Sequence, residues 1–500
     1  MEAVAIALPS QLGCHGRRCD GVGIARSRST VRGARFGVNV RRGGSVVVVR
    51  SKQPDVEQEK EELSSGFDMP TRGGMKLERK LEFGEDRRVE RMFSNLNEVS
   101  LKHEPGSLLN AVLLIAGTTV GAGILAIPSV TQESGFLASS VACIGCWLYM
   151  VGSGLLVAEV NVNTMCELGS GGVSLVSMAL RTLGDWGVRV ACGAYLFIHY
   201  ALLVAYIARS SDIVTNAVGT PLWVSAALFT GSLGGLCYFG SQRVIGLVNG
   251  GLVVGILGSF GLLVTVGSAG LDFNSLLRAN WEAVPHSIPV IALAFVYQNV
   301  VPVVSTSLEG DLPKIRTAVV LGTGIPLVLF LIWNAVILGT SSSLVDGSGA
   351  VQAISDPLLR LRSASGIVGP TVEIFSLLAV ATSFIGFVLG LSDFLCDLFK
   401  LPGGGRRSPL PYILTLLPPF FLSQTSPEIF YQALDFAGTY GVLVLFGILP
   451  AAMAWSERYS GTCLPPSTKP IVPGGRVTLA FFIGAAGFVI TSEAISKLSP

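Results

Sequence analysis

Apolar residues in this chain fall in long unbroken runs rather than at helical or alternating spacing. From Pro105 to Gln132 no residue is charged, a run longer than the roughly 20 apolar residues with which a helix crosses a bilayer. Ten further charge-poor stretches centre on 134–158, 190–208, 213–242, 244–271, 283–308, 317–345, 374–392, 408–427, 436–456 and 477–492. The pattern predicts an all-α polytopic membrane protein with about eleven spans, its membrane domain covering 105–500. Half of the residues are hydrophobic, only 14% are charged, and 60 of 500 are glycine, a composition typical of membrane helices.

Two spans are interrupted at their centres. The first reads "GTTVGAG" at 117–123, and the sixth, five spans later, reads "IALAFVYQNVVPVVSTSLEGD", with Gln298, Asn299 and Pro302 at membrane depth. Each glycine costs a helix interior about 1 kcal/mol relative to alanine. Gly117 and Gly121 alone fit a small-residue packing seam. Gly123, Thr118, Thr119 and the closing Pro128 add a second reading. Paired breaks in corresponding places point to an inverted-repeat transporter with its site at the breaks. Unwound backbone is tolerated in lipid only where protein or a cavity covers it. The amides of Gly121, Ala122 and Gly123 open the second half-helix and would face a carboxylate. The carbonyls of Ala116 and Gly117 close the first half-helix and would accept from an ammonium group.

The first hundred residues are a different polymer. Residues 1–52 hold nine arginines and one lysine against two acids, Glu2 and Asp20. Acid-poor, Arg- and Ser-rich composition marks an organelle transit peptide. The opening "MEAVAIALPS" carries no arginine, which favours a chloroplast over a mitochondrion, with the inner envelope as the expected membrane and the mitochondrial inner membrane as the alternative. Removing the ten basic and two acidic residues of 1–52 turns the formal net charge from +2 to −6, so no nucleic-acid partner is implied. Residues 53–104 read as a mixed-charge, largely disordered tail. Connections after even-numbered spans carry eleven lysines and arginines against five on the other side, which places the mature N-terminus on the side of synthesis.

Candidate chemistry outside the breaks is sparse. Cys143 and Cys146 form a C-x-x-C inside a charge-free run without a second pair, and read as packing residues. "HEPGS" at 103 lacks the second histidine of a zinc protease, and neither a phosphate loop nor a nucleophile elbow is present. No enzyme and no cofactor are expected. Glu159, Glu373, Asp393 and Asp397 stand at span ends and read as solvated or salt-bridged acids.

The stretches "AGTTVGAGILAIP", "IPVIALAF", "GTGIPLVLFLIWNAVILG" and "LAVATSFIGFVLGLSDFLCDLF" resemble the tyrosine/tryptophan permeases. These are the hydroxy and aromatic amino acid permeases of the amino acid–polyamine–organocation superfamily, and the leader makes this chain similar to a plant plastid-type member. The resemblance runs from about residue 105 to the last span. It implies eleven spans, a leucine-transporter-type five-plus-five inverted repeat with broken helices 1 and 6, and symport of an aromatic amino acid. Tyrosine comes first, with tryptophan and phenylalanine next, and the coupling ion would be a proton rather than sodium. Bacterial members carry more glycine and a histidine at the sixth break, whereas "VYQNVVP" has neither.

The resemblance also suggests roles for polar residues on two other spans. Thr382 and Ser383 on span 8 resemble a cation site facing the first break; alternatively, they cap carbonyls of their own helix. His199 and Tyr200 lie in span 3, which lines the pocket in this architecture. His199 is either functional or a neutral, hydrogen-bonded residue. Tyr200 and Tyr206 would offer a hydroxyl to the carboxylate or a ring to the substrate, and Tyr297, Gln298 and Asn299 would line the sixth break. The remaining alternatives are a non-transporting amino acid sensor or scaffold, or a permease for other neutral amino acids.

Overall fold

The computed structural model describes residues 107–168, 173–268, 271–340, 368–399, 409–425, 429–460 and 469–498. The expected leader (1–52) and tail (53–104) lie outside the described residues. Every described element is helical. In chain order they are α1 Leu108–Thr119, α2 Gly123–Thr131, α3 Gly135–Leu168, α4 Leu175–Val218, α5 Leu222–Phe239, α6 Gln242–Ser268, α7 Phe273–Leu276, α8 Val284–Ala294, α9 Val301–Ser307, α10 Leu312–Thr340, α11 Val368–Leu398, α12 Leu410–Leu422, α13 Ile429–Phe436, α14 Leu449–Tyr459 and α15 Gly475–Leu498. A 3₁₀ turn at Gln298–Val300 precedes α9, and a π-helical stretch at Ala437–Ile448 joins α13 to α14.

Nine of the described helical segments are long and apolar enough to cross a membrane, and the bent pair α1–α2 makes ten. The span expected at 408–427 is present as α12, only 13 residues long. The span expected at 190–208 belongs to a 44-residue helix, α4. Its extra turns escape a charge-free criterion because Arg181 and Arg189 interrupt the run. Arg181 is paired with Glu167 and Glu457, so its charge is compatible with a helix packed among others. Gly184, with φ 67° and ψ −159°, kinks α4 below this pairing. A left-handed φ of that kind suits a residue without a Cβ.

The first break behaves as its composition dictates. Thr118 and Thr119 turn their hydroxyls back to the Leu114 and Ile115 carbonyls at 2.7 and 2.8 Å, a local alternative to continuing the helix. Val120 is extended, and α1 and α2 meet at an angle of 52°. The Ala116 carbonyl still accepts from the Val120 amide at 2.9 Å. The free helix end therefore begins one residue beyond Ala116, which corrects the expected position of that carbonyl pair by part of a turn. In span 6, α8 stops at Ala294, and the freed Tyr297 amide donates to the Gln298 side-chain oxygen at 3.0 Å.

One buried ion pair anchors the end of the bundle near Arg181. Arg458 on α14 gives Nε and Nη2 to the two carboxylate oxygens of Glu159 on α3, at 2.8 and 2.7 Å. The Ile471 amide donates to the same carboxylate at 2.8 Å. Glu159 is thus the salt-bridged acid expected at a span end. Elsewhere Trp333, Phe375 and Phe260 stack in the core between α6, α10 and α11.

Candidate functional site

The two breaks pack on each other. A Cβ placed on Gly123 would stand 2.8 Å from the Ala294 Cβ and 2.9 Å from its Cα, so α2 approaches the end of α8 at backbone distance. Gly121 faces α11: a Cβ there would lie 2.7 Å from the Ser383 Oγ. Gly117 meets nothing within 4 Å, and it shares the exposed face of α1 with Leu113, Leu114 and Thr118. The four-residue glycine repeat is therefore no seam, because only its second member touches another helix. Ala116 and Thr119 are buried on the opposite face.

Ser383 is the residue that closes the first break. Its Oγ accepts the Ala122 amide at 3.0 Å and lies beside the Tyr206 hydroxyl. Of the three amides from Gly121 to Gly123, Ala122's has this side-chain acceptor among the described residues. Thr382, next to it, donates instead to the Ala379 carbonyl of its own helix at 3.0 Å. The two hydroxyls of the candidate ion site thus face different partners, since neighbouring residues on a helix point about 100° apart.

A cavity of about 420 Å³ opens beside the second break, within the roughly 300–1,000 Å³ usual for small-molecule sites. Gln298, Asn299, Pro302, Val303 and Thr306 form one wall, Tyr195 and Ala191 a second, Gly390, Phe394 and Asp397 a third, and residues 173–176 with Phe446 complete it. It lies toward the connections that follow α3, α9 and α11, the side to which the charge distribution assigns the mature N-terminus. Gln298 and Asn299 reach it, whereas residues 116–123 are not among its walls.

Tyr297 is committed elsewhere. It is fully buried against α3, with its hydroxyl donating to the Met150 carbonyl at 3.1 Å. Gly154 gives it room, since any Cβ at that position would overlap the phenol. Gln298 also donates to the Met150 carbonyl, at 3.3 Å.

On α4 the cavity takes Tyr195 rather than Tyr200. Tyr200 donates to the Leu414 carbonyl of α12 at 2.9 Å and so faces away. His199 is buried; its Nδ1–H donates to the Tyr195 carbonyl at 2.8 Å, and its ring lies 3.9 Å from that of Tyr195 and 4.9 Å from that of Phe387. Tyr206 stands edge-on to Phe387 at 5.7 Å. Tyr195, His199 and Tyr206 are spaced four and seven apart, which keeps them on one face. Tyr195 carried no signal in the sequence beyond that spacing from His199, and Gly390 and Phe394 none beyond lying in the quoted span 8 stretch.

The arrangement has the parts of a solute site: polar amides at a break, an aromatic wall, and a cavity large enough for an amino acid. The tryptophan/tyrosine permease family model matches residues 104–492. Over 403 residues the chain is 32% identical to the tyrosine-specific transport system 2 of Haemophilus influenzae, covering 76% of this chain and 95% of that one. It is 27% identical to the tryptophan-specific transport protein of the same organism, with 77% and 94% covered. Identity to the low affinity tryptophan permease of Escherichia coli K12 is also 27%, with 69% and 86% covered.

Proposed function

The chain belongs to the tryptophan/tyrosine permease family, and on that premise we propose that it carries an aromatic amino acid across an organelle membrane by alternating access. It is a multi-pass membrane transporter and not an enzyme. Tyrosine is the first substrate of this reading, with tryptophan and phenylalanine next. The observation that carries it is the cavity, where the Tyr195 and Phe394 rings stand opposite the uncharged amides of Gln298 and Asn299. Aromatic walls suit an aromatic side chain, and amides suit polar groups without demanding a charge.

The substrate carboxylate is assigned to the amides from Gly121 to Gly123 and its ammonium to the carbonyls that end α1. Binding there requires Ser383 to release Ala122, or the carboxylate to use the flanking amides. The breaks in spans 1 and 6 support a five-plus-five repeat. Ser383 is the coupling residue of this reading. Its oxygen is already engaged by the Ala122 amide, which disfavours sodium there; a serine hydroxyl takes up no proton, so the proton of this reading rides on another group. The Arg-rich leader supports a chloroplast inner envelope location, with cleavage near residue 50.

Counterflow of labelled tyrosine into proteoliposomes tests the transport reading. Saturable counterflow is expected; binding without flux for every amino acid tried would replace the transporter by a sensor. Fusion of residues 1–60 to a fluorescent protein tests location, and a mitochondrial or secretory pattern would overturn it.

A further inference from the structure

Arg209 is a buried cation of α4 with two nitrogens that no described residue engages. It lies one turn beyond Tyr206, on the same face of the helix, and on the side of the first break away from the cavity. Tyr195 in the cavity wall is fourteen residues earlier, about 21 Å along the helix at its usual rise. The Arg209 Nη1 stands 3.8 Å from Asp212, and the guanidinium carbon lies 5.6 Å from the centre of the Phe430 ring on α13. Nε and Nη2 are buried without a hydrogen-bond partner among the described residues.

Those two nitrogens point their N–H bonds in parallel and form the side of a guanidinium that matches the two oxygens of a carboxylate. The same protein shows that side filled elsewhere. Arg458 grips Glu159 with Nε and Nη2 at a side-chain exposure of 5%, against 7% for Arg209. Arg209 has the fork and the burial, but its one carboxylate, Asp212, stands at Nη1 and no described residue fills the Nε–Nη2 side. A buried charge is tolerated when it is paired and hydrogen-bonded, so an acceptor that arrives from outside these helices accounts for its position.

We propose that Arg209 is a carboxylate-receiving site on the membrane face opposite the cavity, and that it takes the carboxylate of the amino acid before the first break does. This rests on the amino acid transport proposed above. Tyr206 stands between the two stations, one turn before Arg209 and beside Ser383, whose Oγ holds the Ala122 amide. Phe430 covers the guanidinium, and a displacement of α13 uncovers the fork. Substrate entering from that face then meets a fixed cation one helical turn before the amides from Gly121 to Gly123.

The test is labelled tyrosine exchange in proteoliposomes of known orientation, with KM measured from each face. Arg209→Gln should raise KM on the Arg209 side about tenfold or more, as expected for losing a charge-assisted hydrogen bond, and move the cavity-side KM less than about twofold. Arg209→Lys keeps the charge without the fork and should restore only part of the loss; it also serves if the glutamine variant does not fold. Tyrosine amide should lose less than tyrosine does when Arg209 is replaced. Equal changes on both faces, or none with either variant, overturn the proposal. An effect that follows the anionic lipid content of the vesicle assigns the fork to a headgroup phosphate and overturns it too. So does Glu428→Gln reproducing the Arg209→Gln profile, since this acid, outside the described residues, precedes Phe430 by two positions. Wild-type protein without exchange removes the transport reading itself.

Discussion

Gly123 and Ala294 meet at backbone distance, so the interruption of span 1 is seated against that of span 6. A Cβ on Gly123 would be 2.9 Å from the Ala294 Cα, a contact that a side-chain rotation cannot relieve. Gly123→Ala should therefore separate the two breaks, at a cost of about 1–3 kcal/mol for overpacking, and abolish uptake with protein still in the membrane. Gly117→Ala, with open space around it, should keep full activity and gain up to about 1 kcal/mol of helix stability. Uptake beside thermal unfolding in detergent checks the pair. Loss of activity in the Gly117 variant alone would contradict the geometry.

Ser383 and Thr382 should part company when replaced singly. Ser383→Ala orphans the Ala122 amide, and a buried donor without a partner costs about 1–3 kcal/mol. Gradient-driven uptake should fall more than substrate exchange. Thr382→Ala removes only a bond within its own helix and should be silent in both assays. Equal loss from the two replacements would mean that both hydroxyls hold the ion.

Tyr297→Phe removes one hydrogen bond to Met150 while Gln298 still donates to that carbonyl. The expected effect is a stability loss of about 1 kcal/mol with an unchanged KM. Asn299→Ala alters the cavity wall and should raise KM without lowering the unfolding temperature. A KM change in the tyrosine variant would place its ring at the substrate.

Arg458→Gln leaves the Glu159 carboxylate buried with the Ile471 amide as its remaining donor among the described residues. Breaking a buried pair from one side costs about 3–5 kcal/mol, so little folded protein should survive extraction. Replacing both residues by leucine should recover most of it. Failure of the double replacement would show that the pair also acts through the Arg181 group beside it.

The spans and their two breaks were legible because lipid leaves few options. A charge-free run must satisfy its own backbone, and "GTTVGAG" or "VYQNVVP" within one announces where it does not. Rotational phase was harder to read. A helix apolar on all sides gives no moment by which to aim a residue, so Tyr200 was expected in the pocket, whereas packing against α12 turns it away and Tyr195 lines the cavity. Pairings across the chain were also hidden: Glu159 and Arg458 are 299 residues apart, and each alone reads as a span-end charge. The candidate ion residues were found as a doublet, but a doublet on a helix faces two ways, and only Ser383 turns toward the first break.

The shortness of α12 carries a consequence for the surrounding lipid. Its 13 residues extend about 20 Å at the usual helical rise, whereas the hydrocarbon layer is about 30 Å thick. Tyr200 fastens α4 to this helix at Leu414, so α12 cannot slide freely to ease the mismatch. Acyl chains next to it must then compress, at a fraction of a kcal/mol for each ångström. A bilayer of short-chain lipids fits this flank with less strain, and transport rate should rise as acyl length is reduced from eighteen carbons toward about fourteen. Bilayer thickness thereby becomes a variable of the transport cycle, acting through a span whose described helix is shorter than the hydrocarbon layer.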